Sequence, residues 1–336
     1  MPLLEPKIRI ASKFQKLKWG VAGCGNFAEN SFLPALQIFK KNRLMAVYSH
    51  TKERAMFISN KFGAPYSYDN FDEFLKCDFD ILYISSANAD HYWQVIKAAE
   101  AKKQILCEVP IAVNSQQVQE IINVCKENKI IIVPNYIHRF HPIVNKAKEL
   151  VTNQIIGKII SISANYNIDL APSENFRFNK KLSGGGALID LGSQMIDVLR
   201  FFGGEISDVK GYKDNIIYKS EVEDFASAIV KFEKSGYGYF NVSYNAKNTL
   251  NKIEIIGYKG SISIENFIFG KNKPTKLIID IFGEGKKVFM KRTNKLKYVI
   301  KETQKIMTKK TLPQLLSLEN GLINLKIIEE VYKQCP

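Results

Sequence analysis

The 336-residue chain contains no run of 18 or more apolar residues, so it carries no hydrophobic segment of membrane thickness. Its five cysteines, Cys24, Cys77, Cys107, Cys125 and Cys335, are scattered, odd in number and never spaced as C-x-x-C. That argues against a disulfide framework and against a metal site, and it makes reducing cytoplasm the expected compartment. Histidine is scarce: His50, His91, His138 and His141 are all there are, and the rest of the chain must do its chemistry without imidazole. Residues 1–16 lack an apolar core and a small-residue cleavage site, which fits a short arm before the first strand and not a signal peptide. No internal repeat, low-complexity tract, helix-turn-helix, zinc-finger or RNP pattern is present.

Acidic residues are in deficit, 33 Asp/Glu against 48 Lys/Arg, for a net charge of +15. The stretch 271–310 alone holds 13 Lys/Arg and 3 Asp/Glu. It reads either as an anion-attracting face or as a solvated, lysine-rich surface. The second is preferred, because no nucleic-acid motif accompanies the charge. Nucleic acid and membrane are therefore not expected as partners.

What is present is a globular composition, 46% hydrophobic and 24% charged, in a chain long enough for two domains. Apolar runs over 18–22, 44–48, 79–85, 104–107 and 130–133 read as buried strands. They alternate with helical stretches over 28–41, 51–62, 89–102 and 114–128. That order predicts a parallel, doubly wound sheet over 17–142. After a helix over 143–153 the period changes to two. Strands are expected over 157–167, 224–232, 237–244, 252–256, 261–265 and 276–281, with turns such as Lys234-Ser235-Gly236 between close neighbours. One helix, 187–202, interrupts them, and a last helix runs over 313–333. The expectation is an arm over 1–16, an α/β Rossmann domain over 17–142, and an α+β domain with an open, mostly antiparallel sheet over 143–336. The last helix is free to pack back on the first domain. An open sheet needs a cover on its second face, so a homodimer or homotetramer is expected.

Gly23-Cys24-Gly25-Asn26-Phe27-Ala28 fits G-x-G-x-x-G/A, directly after the first strand and at the start of a helix. The first glycine allows the tight turn, the second lets backbone approach a pyrophosphate, and Ala28 allows close helix–strand packing. A packing turn with no ligand is the alternative. Ser49-His50-Thr51-Lys52 follows the second strand, where an NAD site usually carries a carboxylate for the ribose hydroxyls. With none before Glu53 and a cation at Lys52, the cofactor NAD(P) is expected to be NADP in preference to NAD.

These motifs, taken in order, resemble the Gfo/Idh/MocA oxidoreductases over nearly the whole chain. Ser86-Ala87-Asn88-Ala89-Asp90-His91 stands where the family has Thr-Pro-Asn-x-x-His, and Cys107-Glu108-Val109-Pro110 where it has Glu-Lys-Pro. The segment 136–142 is similar to the one leaving the family's Rossmann domain. Phe176-Arg177 and the run from Gly184-Gly185-Gly186 through Asp190, Gln194 and Asp197 resemble the signature GGG-x-x-x-D-x-G-x-H-x-x-D. The resemblance implies that Ser85, Ser86, Asn88, His91, Glu108 and Val109 line the cofactor. It also implies that Arg139, Arg177, Asp190 and Gln194 face a small, sugar-like or anionic substrate. Arg177 reads equally as a surface ion-pair residue, Arg139 as a helix cap, and His91 as a satisfied polar residue.

The departures matter most. The family's proton-transfer pair, the Lys of Glu-Lys-Pro and the His of the signature, is replaced by Val109 and Gln194, neither of which titrates. Three readings follow: an oxidoreductase with another donor, such as Tyr136, Tyr166, Lys180, Lys181 or water; a dinucleotide-binding sensor without chemistry; or a scaffold that keeps the dinucleotide as a structural ligand.

Overall fold

The computed structural model describes residues 17–268 and 273–335. The expected arm over 1–16 lies outside them.

The first sheet is built from β1 (Leu17–Ala22), β2 (Asn42–Tyr48), β3 (Tyr66–Tyr68), β4 (Ile81–Ile84), β5 (Gln104–Cys107) and β6 (Ile132–Pro134). All pairings are parallel, in the order β3-β2-β1-β4-β5-β6. A helical segment entered at Asn26, ending in α1 (Leu33–Gln37), follows β1. Then come α2 (Lys52–Phe62), α3 (Phe71–Lys76), α4 (Asn88–Glu100) and α5 (Ser115–Asn128). Helices on both faces explain why every residue of β4 is buried. The strand order reverses between β1 and β4, so a crevice opens at their carboxyl ends, where the Gly23 turn and Ser85 meet.

The chain leaves this sheet through a 3₁₀ turn, Ile137–Phe140, and α6 (Pro142–Thr152). The second sheet has eight strands: β7 (Ile159–Asp169), β8 (Ile206–Asp214), β9 (Phe225–Phe232), β10 (Tyr237–Ser243), β11 (Asn245–Gly257), β12 (Gly260–Glu265), β13 (Thr275–Ile281) and β14 (Gly285–Lys291). Only the β7–β10 pair is parallel. The fold is thus a Rossmann sheet followed by an open, mostly antiparallel one. Between β7 and β8 lie α7 (Lys180–Ser183) and a long helix from Ala187 that ends as α8 (Ser193–Gly203). The sheet's inner face, with Ile162, Ala164, Val230, Phe240 and Ile255, is buried under that helix. Its outer face exposes Ile229, Tyr237, Tyr239 and Ile256.

Among the elements that were not expected, three larger ones lie in the second half. β8 fills a gap between the interrupting helix and β9. β14 is an edge strand with all seven residues exposed, and Lys286, Lys287 and Lys291 on it discourage further pairing. α9 (Lys295–Lys309) buries Leu296, Val299, Ile300, Thr303, Ile306 and Met307 along one stripe, and its lysines after Lys295 face outward. Much of the basic stretch is therefore the solvated side of an edge strand and a helix. No helix among the described residues is long and apolar enough to cross a membrane.

The final helix, α10 (Leu318–Gln334), joins the two sheets. Glu329 accepts from the Ser115 amide and hydroxyl at the start of α5, both at 2.6 Å. Deeper in the joint, Asp197 of α8 accepts from Arg139 Nε (2.6 Å) and Nη2 (2.7 Å) and from Asn324 Nδ2 (2.8 Å). Burial alone would raise the Asp197 carboxyl, but the Arg139 charge outweighs it and holds the group well below the usual range.

Candidate functional site

A cleft of about 660 Å³ runs from the glycine turn to the long helix of the second sheet. Its first wall begins at Gly23. There φ is +90°, and a Cβ would sit 2.3 Å from the Ser86 amide nitrogen, so only glycine lets β1 and β4 approach this closely. The Ser85 hydroxyl donates to the Gly23 carbonyl (3.0 Å) and fixes the turn. Gly25 is the opposite case: a Cβ there would meet nothing within 4 Å and would project into open space at the helix entrance. Such a cradle, with the helix beginning at Asn26 and Glu29 donating its amide back to Gly25, fits a pyrophosphate. Gly25, Asn26, Phe27, Ser85, Ser86, Asn88 and His91 all line the cleft, and Ala28 is buried behind it.

The supporting contacts explain several of these positions. The Asn88 amide donates to the Ser183 carbonyl (2.9 Å), tying α4 to α7. His91 lies 2.8 Å from the Pro110 carbonyl and 3.2 Å from that of Ser86; burial lowers its pKa, and as a neutral ring it donates to one of them, the shorter contact tying it to the Val109-Pro110 turn. Glu108, also lining the cleft, accepts from Tyr83 Oη and Asn135 Nδ2, each at 2.6 Å. Burial pushes its carboxyl up to about 7, although both hydrogen bonds and the Arg177 charge act the other way.

The second wall is the helix that starts after the triple glycine. A Cβ on Gly186 would lie 1.9 Å from the Glu223 carbonyl oxygen, which explains the glycine. Glu223 Oε1 accepts from the Gly186 (2.9 Å) and Leu188 (3.0 Å) amides and from Tyr332 Oη (2.7 Å), capping the helix start. A π turn over Leu188–Gly192 brings Asp190 and Gln194 toward the cleft. Another, over Ala28–Phe32, lies in the helix of the first wall. Such insertions widen a helix locally and recur at functional sites. Asp190 Oδ2 accepts from Arg177 Nε and Tyr244 Oη, both at 2.8 Å, so this carboxylate is already engaged. Arg177 stacks over Phe176, 4.8 Å from its ring centroid. Gln194 is buried, and its Oε1 has no hydrogen-bond partner. Tyr166, from β7, completes this end.

Several expected residues lie elsewhere. Arg139 is not in the cleft. The 3₁₀ turn that carries it is packed beneath α8, and its guanidinium is consumed by Asp197 and by the Leu315 carbonyl (2.5 Å). Tyr136 is likewise buried in the joint, where its hydroxyl accepts from Asn324 (2.9 Å). Lys180 and Lys181 are exposed on α7, on the far side of the triple glycine. Ser49, His50, Thr51 and Lys52 sit at the end of β2, beyond the cleft's lining, with His50 paired to Asp90 at 2.9 Å. Sequence reasoning missed Arg54, which lines the cleft, donates to the Cys24 carbonyl (2.8 Å) and pairs with Glu29 (2.5 Å). The available signal was a cation one helical turn after Thr51.

Residues 17–136 match the family model described as "Oxidoreductase family, NAD-binding Rossmann fold", and residues 144–263 match the GFO/IDH/MocA C-terminal domain. The trans-1,2-dihydrobenzene-1,2-diol dehydrogenase of Xenopus tropicalis is 27% identical over 286 residues, covering 83% of this chain and 82% of that protein. The D-xylose 1-dehydrogenase (NADP(+)) 2 of Haloferax volcanii is 26% identical over 55% of this chain and 57% of its own. Among solved structures, KijD10, a 3-ketoreductase from Actinomadura kijaniata in complex with NADP and TDP-benzene, superposes with a TM-score of 0.85. It is 20% identical, and the match covers 95% of this chain and 98% of that one. The aldose-aldose oxidoreductase of Caulobacter crescentus gives a TM-score of 0.86 at 23% identity, covering 95% and 97%. The glycine cradle, the two-sheet architecture and both family models agree: the chain belongs to the Gfo/Idh/MocA oxidoreductases, with their NAD(P)-binding Rossmann fold.

Proposed function

We propose that the cleft binds NADP(H) and serves hydride transfer to or from a small, polar, hydroxylated substrate of sugar-like kind. The observation that carries this reading is Gln194. Its buried Oε1 lacks a partner, a state that costs about 1–3 kcal/mol. Gln194 also lines the cleft, and turning its side chain to accept from a substrate hydroxyl there would remove that cost. Arg177 keeps its Nη donors beside the same end, which suits an oxygen-rich or anionic group. The relatives named as diol, xylose and 3-keto activities are consistent with such a ligand. The preference for NADP rests on Ser49, Thr51 and Lys52, with Arg54 nearby and no carboxylate at the end of β2. When bound, the dinucleotide supplies or accepts the hydride. The chain's part is to hold the pyrophosphate at Gly25 and to orient the substrate with Gln194 and Arg177.

A second reading is favoured by one specific feature: Val109 and Gln194 stand where the family's Lys and His would be, so the fold would then serve as a dinucleotide sensor or scaffold. Turnover separates the two. NADPH absorbance is followed with aldoses, ketoses and small diketones, using the wild type and the Val109→Lys/Gln194→His variant. Activity in the wild type supports the oxidoreductase. Activity in the variant alone supports the second reading.

The outer face of the eight-stranded sheet, with Ile229 of β9 beside Tyr239 of β10, and Tyr237 of β10 and Ile256 of β11 flanking Ser161 of β7, supports assembly as a homodimer or homotetramer.

A further inference from the structure

We propose that Glu108 exchanges the proton with the substrate oxygen in this cleft, taking over the role that Val109 and Gln194 cannot perform. The inference rests on the oxidoreductase reading above and names the acid–base residue of that same site.

Three observations place it there. First, Glu108 follows β5 at the carboxyl edge of the parallel sheet and lines the cleft, adjoining Val109 on one side and facing the Gln194 helix on the other. Secondly, its carboxyl is oriented from behind. Oε1 takes both hydrogen bonds, from Tyr83 on β4 and from Asn135 just after β6. Tyr83 is itself fixed by stacking on Phe32, with ring centroids 3.5 Å apart, and the Asn135 amide donates to the Cys107 carbonyl at 2.8 Å. Oε2 has no protein partner among the described residues and is not among the buried unpaired atoms, so it opens on the cleft. A carboxyl pinned by one oxygen and free at the other is oriented for proton transfer. Thirdly, the competing groups are engaged or displaced. Asp190 is likewise bound through one oxygen, but there it is ion-paired to the Arg177 guanidinium, a partner Glu108 lacks; His91 is enclosed by two carbonyls, and Tyr136, Lys180 and Lys181 lie outside the cleft. Among the described residues Tyr166 is the one other titratable group lining this end, and burial together with the Asp190 charge raises its pKa, making it a poorer acid.

The charged and titratable groups around Glu108 are Arg177 and Asp190 from the opposite wall, of opposing effect, and Tyr83 and Cys107 from the sheet. With burial, they leave the carboxyl titrating at about 7, close to the optimum for a general acid–base at neutral pH. In the reducing direction the substrate's carbonyl carbon receives the hydride, and the C=O π pair moves to oxygen. That oxygen takes the proton from Glu108 Oε2, yielding the alcohol, the oxidised nicotinamide and a Glu108 carboxylate. Solvent in the cleft then returns the proton. Oxidation of an alcohol runs the same steps backward.

The test does not need the physiological substrate. NADP+ brings a positive ring to the cleft, which favours the Glu108 carboxylate, so binding at pH 7 should release up to about half a proton. Calorimetry of NADP+ binding in two buffers of different ionisation enthalpy reads this directly. The expected result is release by the wild type, none by Glu108→Gln, and retention by Tyr166→Phe. Binding without release, or equal release from Glu108→Gln, overturns the assignment of Glu108 while leaving the dinucleotide site standing. No binding heat with any form overturns the oxidoreductase reading itself and the assignment with it. For any carbonyl compound the wild type reduces, Glu108→Gln should lower kcat about 100-fold or more with KM little changed. Unchanged kcat overturns the proposal.

Discussion

Replacing Glu108 with glutamine should make the protein less sensitive to alkaline pH, and the size of the effect follows from its surroundings. The glutamine amide oxygen can still accept from Tyr83 and Asn135, so the packing is preserved and only the titration is removed. Glu108 titrates at about 7 when folded against 4.5 for a free glutamate. Its folded pKa is raised, so the native state binds the extra proton across that window. The associated stability is fully present below 4.5 and lost as pH rises through about 7. At about 1.36 kcal/mol per unit the loss totals about 3 kcal/mol, of which about 2.5 falls between pH 5 and pH 8. Water reaching Oε2 trims this, so a difference of about 1–3 kcal/mol is expected. Urea unfolding at pH 5 and pH 8, on wild type and Glu108→Gln, gives the comparison. All other titrating groups are shared, so the difference between the two pH responses isolates this carboxyl. Identical responses would show that Glu108 is an ordinary solvated carboxylate, and the reasoning about its burial would fail.

Asp197→Asn should cost about 3–5 kcal/mol in the same assay, because Arg139 is then left buried without its counter-charge. The double variant Arg139→Leu/Asp197→Leu should recover part of it, whereas a surface pair would show no such coupling. Gly186→Ala should lower the unfolding midpoint sharply, since the added methyl meets the Glu223 carbonyl. A midpoint shift under half a molar urea would contradict that contact. Ile229→Glu/Tyr239→Glu, on the outer sheet face, should yield monomers by light scattering, and an unchanged mass would move the interface elsewhere.

The first sheet was legible because its apolar runs, its glycine turn and its helix stops sit in regular succession, each short and locally determined. β3 and α3 escaped notice because three and six residues are too few to establish a period. α9 does carry a period of 3.6 in Leu296, Val299, Ile300 and Ile306, but the lysines interleaved with them lower the hydrophobicity of the whole stretch and mask it. β14 has no buried face at all, so alternation could not reveal it. At the cleft, Gly25, Glu108, Asp190 and Gln194 were expected from motif position, and all four line it. Arg139 was misplaced because position along the chain does not say which side of a buried turn an arginine faces. Glu223 and Arg54 act through tertiary contacts 37 and 30 residues distant in sequence, beyond the reach of local pattern.

The measurement that bears most directly on the whole account is a fluorescence titration with NADPH of the wild type and of Gly25→Leu. The added side chain meets no protein atom near its Cβ and should leave the unfolding midpoint unchanged, but it fills the space assigned to the pyrophosphate. The account predicts saturable binding by the wild type and its loss in the variant. Equal binding by both, or none by the wild type, would contradict it.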